Sequence, residues 1–130
     1  MAIAPKSAEP AIRVLMMPRD TNAQGTIFGG VILSYIDQAG AIEARRQGLG
    51  RMVTVAMDKI VFHAPVHVGD LVSFWAETLR IGTTSITTQV VVEANRGRDP
   101  NEKVKVTEAQ VVYVNIGEDD RPVPVASSRA

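Results

Sequence analysis

Gly29 and Gly30 head an apolar segment, and Asp37 follows about two helical turns later. Glycine is tolerated at the start of a helix, but it brings no side-chain oxygen to cap the first free N–H groups. Those donors sit at the positive end of the helix dipole, open to a carbonyl oxygen or an anion. Glycines also let a second molecule come close to the backbone. The spacing fits two readings equally: donors for a developing negative charge, or glycines that let the helix pack tightly. A carboxylate two turns in could take a proton from water.

The element that must carry these residues is a helix from about Gly30 to Gln47. On a wheel of about 100° per residue, Val31, Ile32, Leu33, Tyr35, Ile36, Ala39 and Ile42 cover most of the circumference. Ser34, Asp37, Gln38, Ala41 and Arg45 form one narrow polar stripe. A helix this broadly apolar is expected to be wrapped by other structure. Asp37 then faces either a thin strip of solvent or an enclosed polar pocket. Gly48 and Gly50 stop the helix, with Arg45 and Arg46 suited to its negative end.

The remainder of the chain reads as strands. Ala11 to Met17 is a short first strand that Pro18 ends, and the polar loop to Gly25 is long enough to suggest function. Arg51 to Ala64, Leu71 to Ile81, Thr84 to Ala94 and Val104 to Ile116 follow, rich in β-branched and aromatic residues. Their short connections imply antiparallel neighbours. One long helix against such a sheet is an α+β two-layer domain at residues 11–117. A flexible leader at 1–10 precedes it, and an extended or disordered tail at 118–130 follows. The exposed sheet edge is a place to pair with a second copy.

Composition narrows the function. The 130 residues carry 14 basic and 14 acidic side chains, so nothing points to a nucleic-acid partner. With no cysteine there is no thiolate nucleophile, disulfide or Cys-based metal site. The N-terminus has no signal-peptide core, and no apolar run is long enough to insert into a membrane. A cytoplasmic location is the expectation. His63 and His67, four apart and flanking Pro65 before a turn, are not placed side by side and lack a third ligand, so no metal is expected.

Several pieces of the chain, taken in order, resemble a known family. They are Met17-Pro18-Arg19-Asp20-Thr21-Asn22, Gly25-Thr26-Ile27-Phe28-Gly29-Gly30 and Ile36-Asp37-Gln38-Ala39-Gly40-Ala41. Val53-Thr54-Val55, the run from Phe62 to Asp70, Gly82-Thr83-Thr84-Ser85 and Val106-Thr107-Glu108-Ala109 continue the series. Across residues 12 to 116 the set is similar to the hotdog-fold acyl-CoA thioesterases, above all the single-domain bacterial hydrolases. The resemblance implies a long central helix wrapped by an antiparallel sheet. It also implies a homodimer, assembled further into a trimer of dimers, with active sites between protomers.

For the site, the resemblance implies that Asp37 and Asn22 come from different subunits and act together in hydrolysis of an acyl-CoA. Asp37 would be the base or, as the alternative, a nucleophile; Asn22 would orient the water or the carbonyl. Gly29 and Gly30 would supply N–H groups to the oxyanion, and Gly82, Thr83, Thr84 and Ser85 would contact coenzyme A. Lys59, Arg51 and Lys105 are the candidate phosphate partners. No cofactor is implied, because coenzyme A belongs to the substrate and product. Two departures stand out: Val31 where many relatives carry tryptophan, and Ala64 where a basic residue often precedes Pro65. The first bears on the acyl pocket, the second on charge near the phosphates. Two other functions suit the same fold: an acyl-CoA dehydratase, which would need a catalytic histidine with an acidic partner, and a non-catalytic acyl-CoA-binding regulator.

Overall fold

The computed structural model describes residues 3–126. It contains β1 (Ile12–Leu15), a single 3-10 turn (Pro18–Asp20), α1 (Gly29–Arg46), β2 (Met52–Phe62), β3 (Leu71–Ile81), β4 (Ser85–Asn95) and β5 (Lys103–Asn115). The strands form one antiparallel sheet in the order β1-β3-β4-β5-β2. The helix packs across its face, as the α+β reading expects.

Alternation in β4 explains the layering. Ile86, Thr88, Val90, Val92 and Ala94 are buried, and the residues between them are partly open. That period of two puts one face of the strand on the helix. Thr107, Ala109, Val111, Tyr113 and Asn115 do the same on β5. The helix answers with Ile32, Ile36, Ala39, Gly40, Glu43 and Ala44, one stripe at the helical period.

The expected wrapping of most of the helix is not met within one chain. Val31, Leu33 and Tyr35 are only half-buried, and Ile42 is exposed. A single sheet can curve against one side of a helix, so the rest of the apolar arc lacks cover. Strand β2 is likewise bare. Val53, Val55, Ile60, Val61 and Phe62 are all exposed along this edge, and its pairing with β5 shifts register between Thr54 and Ala56 and again between Asp58 and Val61.

Both ends of the described chain are tied down. Ala4 N–H donates to Gln47 Oε1 at 2.9 Å, which holds part of the expected flexible leader against the end of the helix. In the expected tail, Val123 N–H donates to Asn115 O and Val125 N–H to Thr83 O, and Val125 is fully buried. Val123 lies between Pro122 and Pro124, and the buried Val125 that follows them supplies the anchor. Residues 1–2 and 127–130 of these two segments lie outside the described residues.

Gly40 marks the tightest helix–sheet approach. A Cβ there would overlap the Tyr113 hydroxyl and stand 2.9 Å from Thr88 Oγ1. Gly40→Ala should therefore destabilise the protein. The helix-propensity gain of about 1 kcal/mol is smaller than an overpacking cost of about 1–3 kcal/mol. Urea unfolding should show a lower midpoint with an unchanged slope.

Glu43 is a buried carboxylate facing the sheet. It accepts from Arg46 Nε at 2.8 Å, Gln47 Nε2 at 3.1 Å and Thr78 Oγ1 at 2.6 Å. Burial pushes its pKa up, but the Arg46, Thr78 and Gln47 bonds outweigh that and hold it below the ordinary range. A depressed folded-state pKa contributes stability above the unfolded value, and that stability is lost as pH falls through the folded one. Glu43→Gln should lower stability at pH 7 by on the order of 1–3 kcal/mol. It should also make the acid-side loss shallower, as read by denaturation from pH 7 downward.

Candidate active site

Helix α1 begins without a cap. Phe28 occupies the N-cap position with no side-chain hydrogen bond, and the first turn has no acidic residue. Among the described residues, no acceptor meets the N–H groups of Gly29 and Gly30. The chain enters at a fixed angle, because Ile27 N–H donates to Val66 O and Phe28 N–H to Asp20 O, both at 2.8 Å. Two hollows flank this end. One, of about 240 Å³, lies against Gly29 and is lined by Ile27, Ile32, Phe62, Pro65 and Val66. The other, an open apolar groove of about 600 Å³, runs over Phe28, Gly30, Val31 and Tyr35. Gly30 lies under the Phe28 ring, and a Cβ there would stand 2.7 Å from it. Both readings of the glycines thus have a footing: Gly29 borders open space, and Gly30 packs closely.

Asp37 is half-buried and held through two strands. Thr54 Oγ1 on β2 donates to Asp37 Oδ1 at 2.8 Å. Tyr113 OH on β5 donates to the main-chain oxygen of Asp37 at 2.5 Å. Burial, with the Asp37 charge beside it, pushes the Tyr113 hydroxyl far above its ordinary range, so it keeps its proton and remains a donor. Among the described residues, no cation pairs with Asp37.

Asn22 organises its own loop. Its Oδ1 accepts from Gln24 N–H at 2.9 Å and Thr26 N–H at 3.1 Å, and its Nδ2 donates to Thr26 Oγ1 at 2.9 Å. This is an Asx turn that leads the chain through Gly25, whose φ of +86° suits glycine. No hydrogen bond joins Asn22 to Asp37 within the described chain.

The turn Gly82-Thr83-Thr84-Ser85 joins β3 to β4. Gly82 N–H donates to Ser85 O at 2.8 Å, and the Thr83 and Thr84 carbonyls accept from Val125 and Asn115. Ser85 pairs with Val114, beside the start of β2. The turn is therefore at the helix C-terminal end of the sheet, whereas Gly29 meets Phe62 at the other end. Within one chain a hydrogen bond joins Asp37 to Thr54, and among the described residues none joins either of them to Asn22 or to the turn.

His63 and His67 are both exposed. Nε2 of His63 lies 3.1 Å from Glu108 Oε1, and Lys105 pairs with the same carboxylate at 2.6 Å. Lys105 and then His63 hold the Glu108 pKa down. Glu108 stands between buried Thr107 and Ala109, so it is turned to the face away from the helix and Asp37. Among the described residues, no cluster of three metal-ligating side chains is present, and no helix is long and apolar enough to cross a membrane.

Residues 24–100 match the family model described as the thioesterase superfamily. The chain belongs to that superfamily and has its hotdog fold. It is 45% identical over 120 residues to an uncharacterised acyl-CoA thioester hydrolase of Zymomonas mobilis, covering 92% of this chain and 79% of that one. It is 41% identical over 119 residues to the acyl-CoA thioester hydrolase YciA of Salmonella typhimurium, covering 90% of each. A hexameric hotdog-fold thioesterase of Campylobacter jejuni superposes with a TM-score of 0.84 at 41% identity, covering 94% of this chain and 96% of that one.

Thr54 and Tyr113, the two side chains bonded to Asp37, were not singled out by the sequence as parts of a site. The signal for Thr54 was its place in the ordered motifs, but which way it faces depends on the shifts in β2. Thr54→Val keeps the shape and removes the donor to Asp37. It should lower kcat for thioester hydrolysis by about tenfold to a hundredfold, and Thr54→Ser should restore most of it.

Proposed function

We propose that the chain hydrolyses fatty acyl-CoA to a free fatty acid and coenzyme A, with Asp37 as general base. The observation that carries this reading is the company Asp37 keeps. Among the described residues the two buried carboxylates, Glu43 and Asp70, each pair with an arginine. Asp37 is half-buried and receives a hydroxyl instead. A hydroxyl fixes a carboxylate's orientation without neutralising it, which suits a base that must take a proton from water.

In this reading the uncapped N–H groups of Gly29 and Gly30 meet the oxyanion as the thioester carbonyl is attacked. Asn22 of a partner subunit orients the water or the carbonyl. It retains one amide hydrogen beyond the bond to Thr26. The turn from Gly82 to Ser85 contacts the pantetheine of coenzyme A at its thioester end, with the Thr83 and Thr84 hydroxyls as donors. The acyl chain lies against apolar surface near the helix.

Assembly completes the site. The bare apolar edge of β2 and the uncovered side of the helix are the surfaces a second copy would cover. We therefore assign a homodimer, gathered into a trimer of dimers like the hexameric Campylobacter relative, working in the cytoplasm. A dehydratase is less suited, because the one histidine paired with an acid, His63 with Glu108, faces away from the helix.

Asp37→Asn should lower thiol release from acyl-CoA by more than about a hundredfold while still binding coenzyme A. Asn22→Ala should behave similarly. Mixing the two inactive proteins and letting subunits exchange should recover measurable turnover, because a mixed dimer contains one site with both groups intact. No recovery after exchange, with mixed dimers present, would count against the shared site. Binding without turnover in the unmodified protein would favour the regulator.

A further inference from the structure

We propose that Lys59 anchors a phosphate of coenzyme A; this rests on the acyl-CoA reading above. Lys59 has φ of +51°, in the left-handed region that favours glycine. Only Asp120 shares that feature among the non-glycine described residues. Asp120 is a short polar residue in a surface turn, a type that tolerates this backbone. A lysine has no such excuse, and strain of this kind collects where a side chain must be aimed.

The aiming device is a β-bulge. Pairing of β2 with β5 runs through Asp58 opposite Gln110 and resumes at Val61 opposite Glu108. The extra residue in this stretch takes the backbone out of the ladder, and such bulges re-aim side chains at sheet edges.

The competing bases are already engaged. Arg51 pairs with Asp120 at 2.7 Å, and Lys105 with Glu108 at 2.6 Å. Among the described residues, Lys59 has neither an ion pair nor a side-chain hydrogen bond. In the single chain its ammonium is exposed with all three donors available, on the strand where the proposed second copy would complete the site.

Its place on the strand matches the ligand. Thr54, which holds the Asp37 carboxylate, is five residues earlier on β2. At roughly 3.3 Å per residue that is about 16 Å, comparable to an extended pantetheine arm from thioester sulfur to first phosphate. Phe62, against Gly29, is three residues beyond. A coenzyme whose thioester reaches Asp37 can thus lay its phosphates at Lys59.

The test compares a substrate that has the phosphates with one that lacks them. Lys59→Gly suits the observed backbone, so it removes the charge without risking the fold. It should raise KM for acyl-CoA roughly tenfold. The advantage in kcat/KM of acyl-CoA over the matching acyl-pantetheine should shrink by the same factor. Lys59→Arg should keep that advantage, as should Arg45→Ala, an exposed cation at the helix end. If the advantage survives in Lys59→Gly, or both substrates suffer equally, the phosphate role is overturned. Calorimetry with coenzyme A separates this inference from the one it rests on. Tenfold weaker binding by Lys59→Gly than by the unmodified protein supports the contact even if no thiol is released, a result that would sink the hydrolase reading alone.

Discussion

The hydrogen bond from Tyr113 to the main chain of Asp37 is the constraint on which the other features depend. It spans the helix–sheet interface and fixes the height and rotation of α1 over β5. Gly40, one turn further along, makes the approach possible, since any side chain there would meet the same hydroxyl. Once the helix is seated, Thr54 on the neighbouring strand comes within reach of the carboxylate. Three residues far apart in sequence thus decide where one carboxylate oxygen points.

Strand β2 has two tasks that pull against each other. It must pair with β5 well enough to present Thr54 to the helix, yet it is the sheet's outer edge and exposes apolar residues along its length. A flat edge of this kind invites uncontrolled pairing. The two register shifts twist it and interrupt the ladder, so that few geometries allow a second strand to dock. A chain with a half-covered helix and an apolar sheet edge is the form expected of a protomer that buries these surfaces on assembly.

Much of the fold was legible because the signals were local. The helix followed from its glycine boundaries and broad apolar arc, and β3 to β5 from β-branched alternation and short turns. The buried face of the helix was not, because a wheel does not say how much of an apolar arc one sheet can cover. Glu43 shows the same limit: a charged residue in sequence reads as surface, and only Arg46, Gln47 and Thr78 converging on it explain its burial. Thr54 was hidden for another reason. Each bulge shifts the alternation of β2 by one residue, so facing cannot be counted along the strand. Asp37, by contrast, was visible at once, as a carboxylate on a largely apolar helix with glycines at its head.

In the proposed reading of Asp37 as general base, the choice of hydroxyls around it follows from what a base requires. An arginine in place of Thr54 would hold the carboxylate more firmly, as Arg46 holds Glu43 and Arg96 holds Asp70. It would also favour the charged form so strongly that proton uptake became costly. Leaving the carboxylate without any donor has the opposite defect, since a side chain free to rotate loses the alignment on which attack depends. A single neutral donor from β2, with the main chain pinned by a hydroxyl that keeps its proton, is the middle course. It orients the group and leaves its charge available for chemistry.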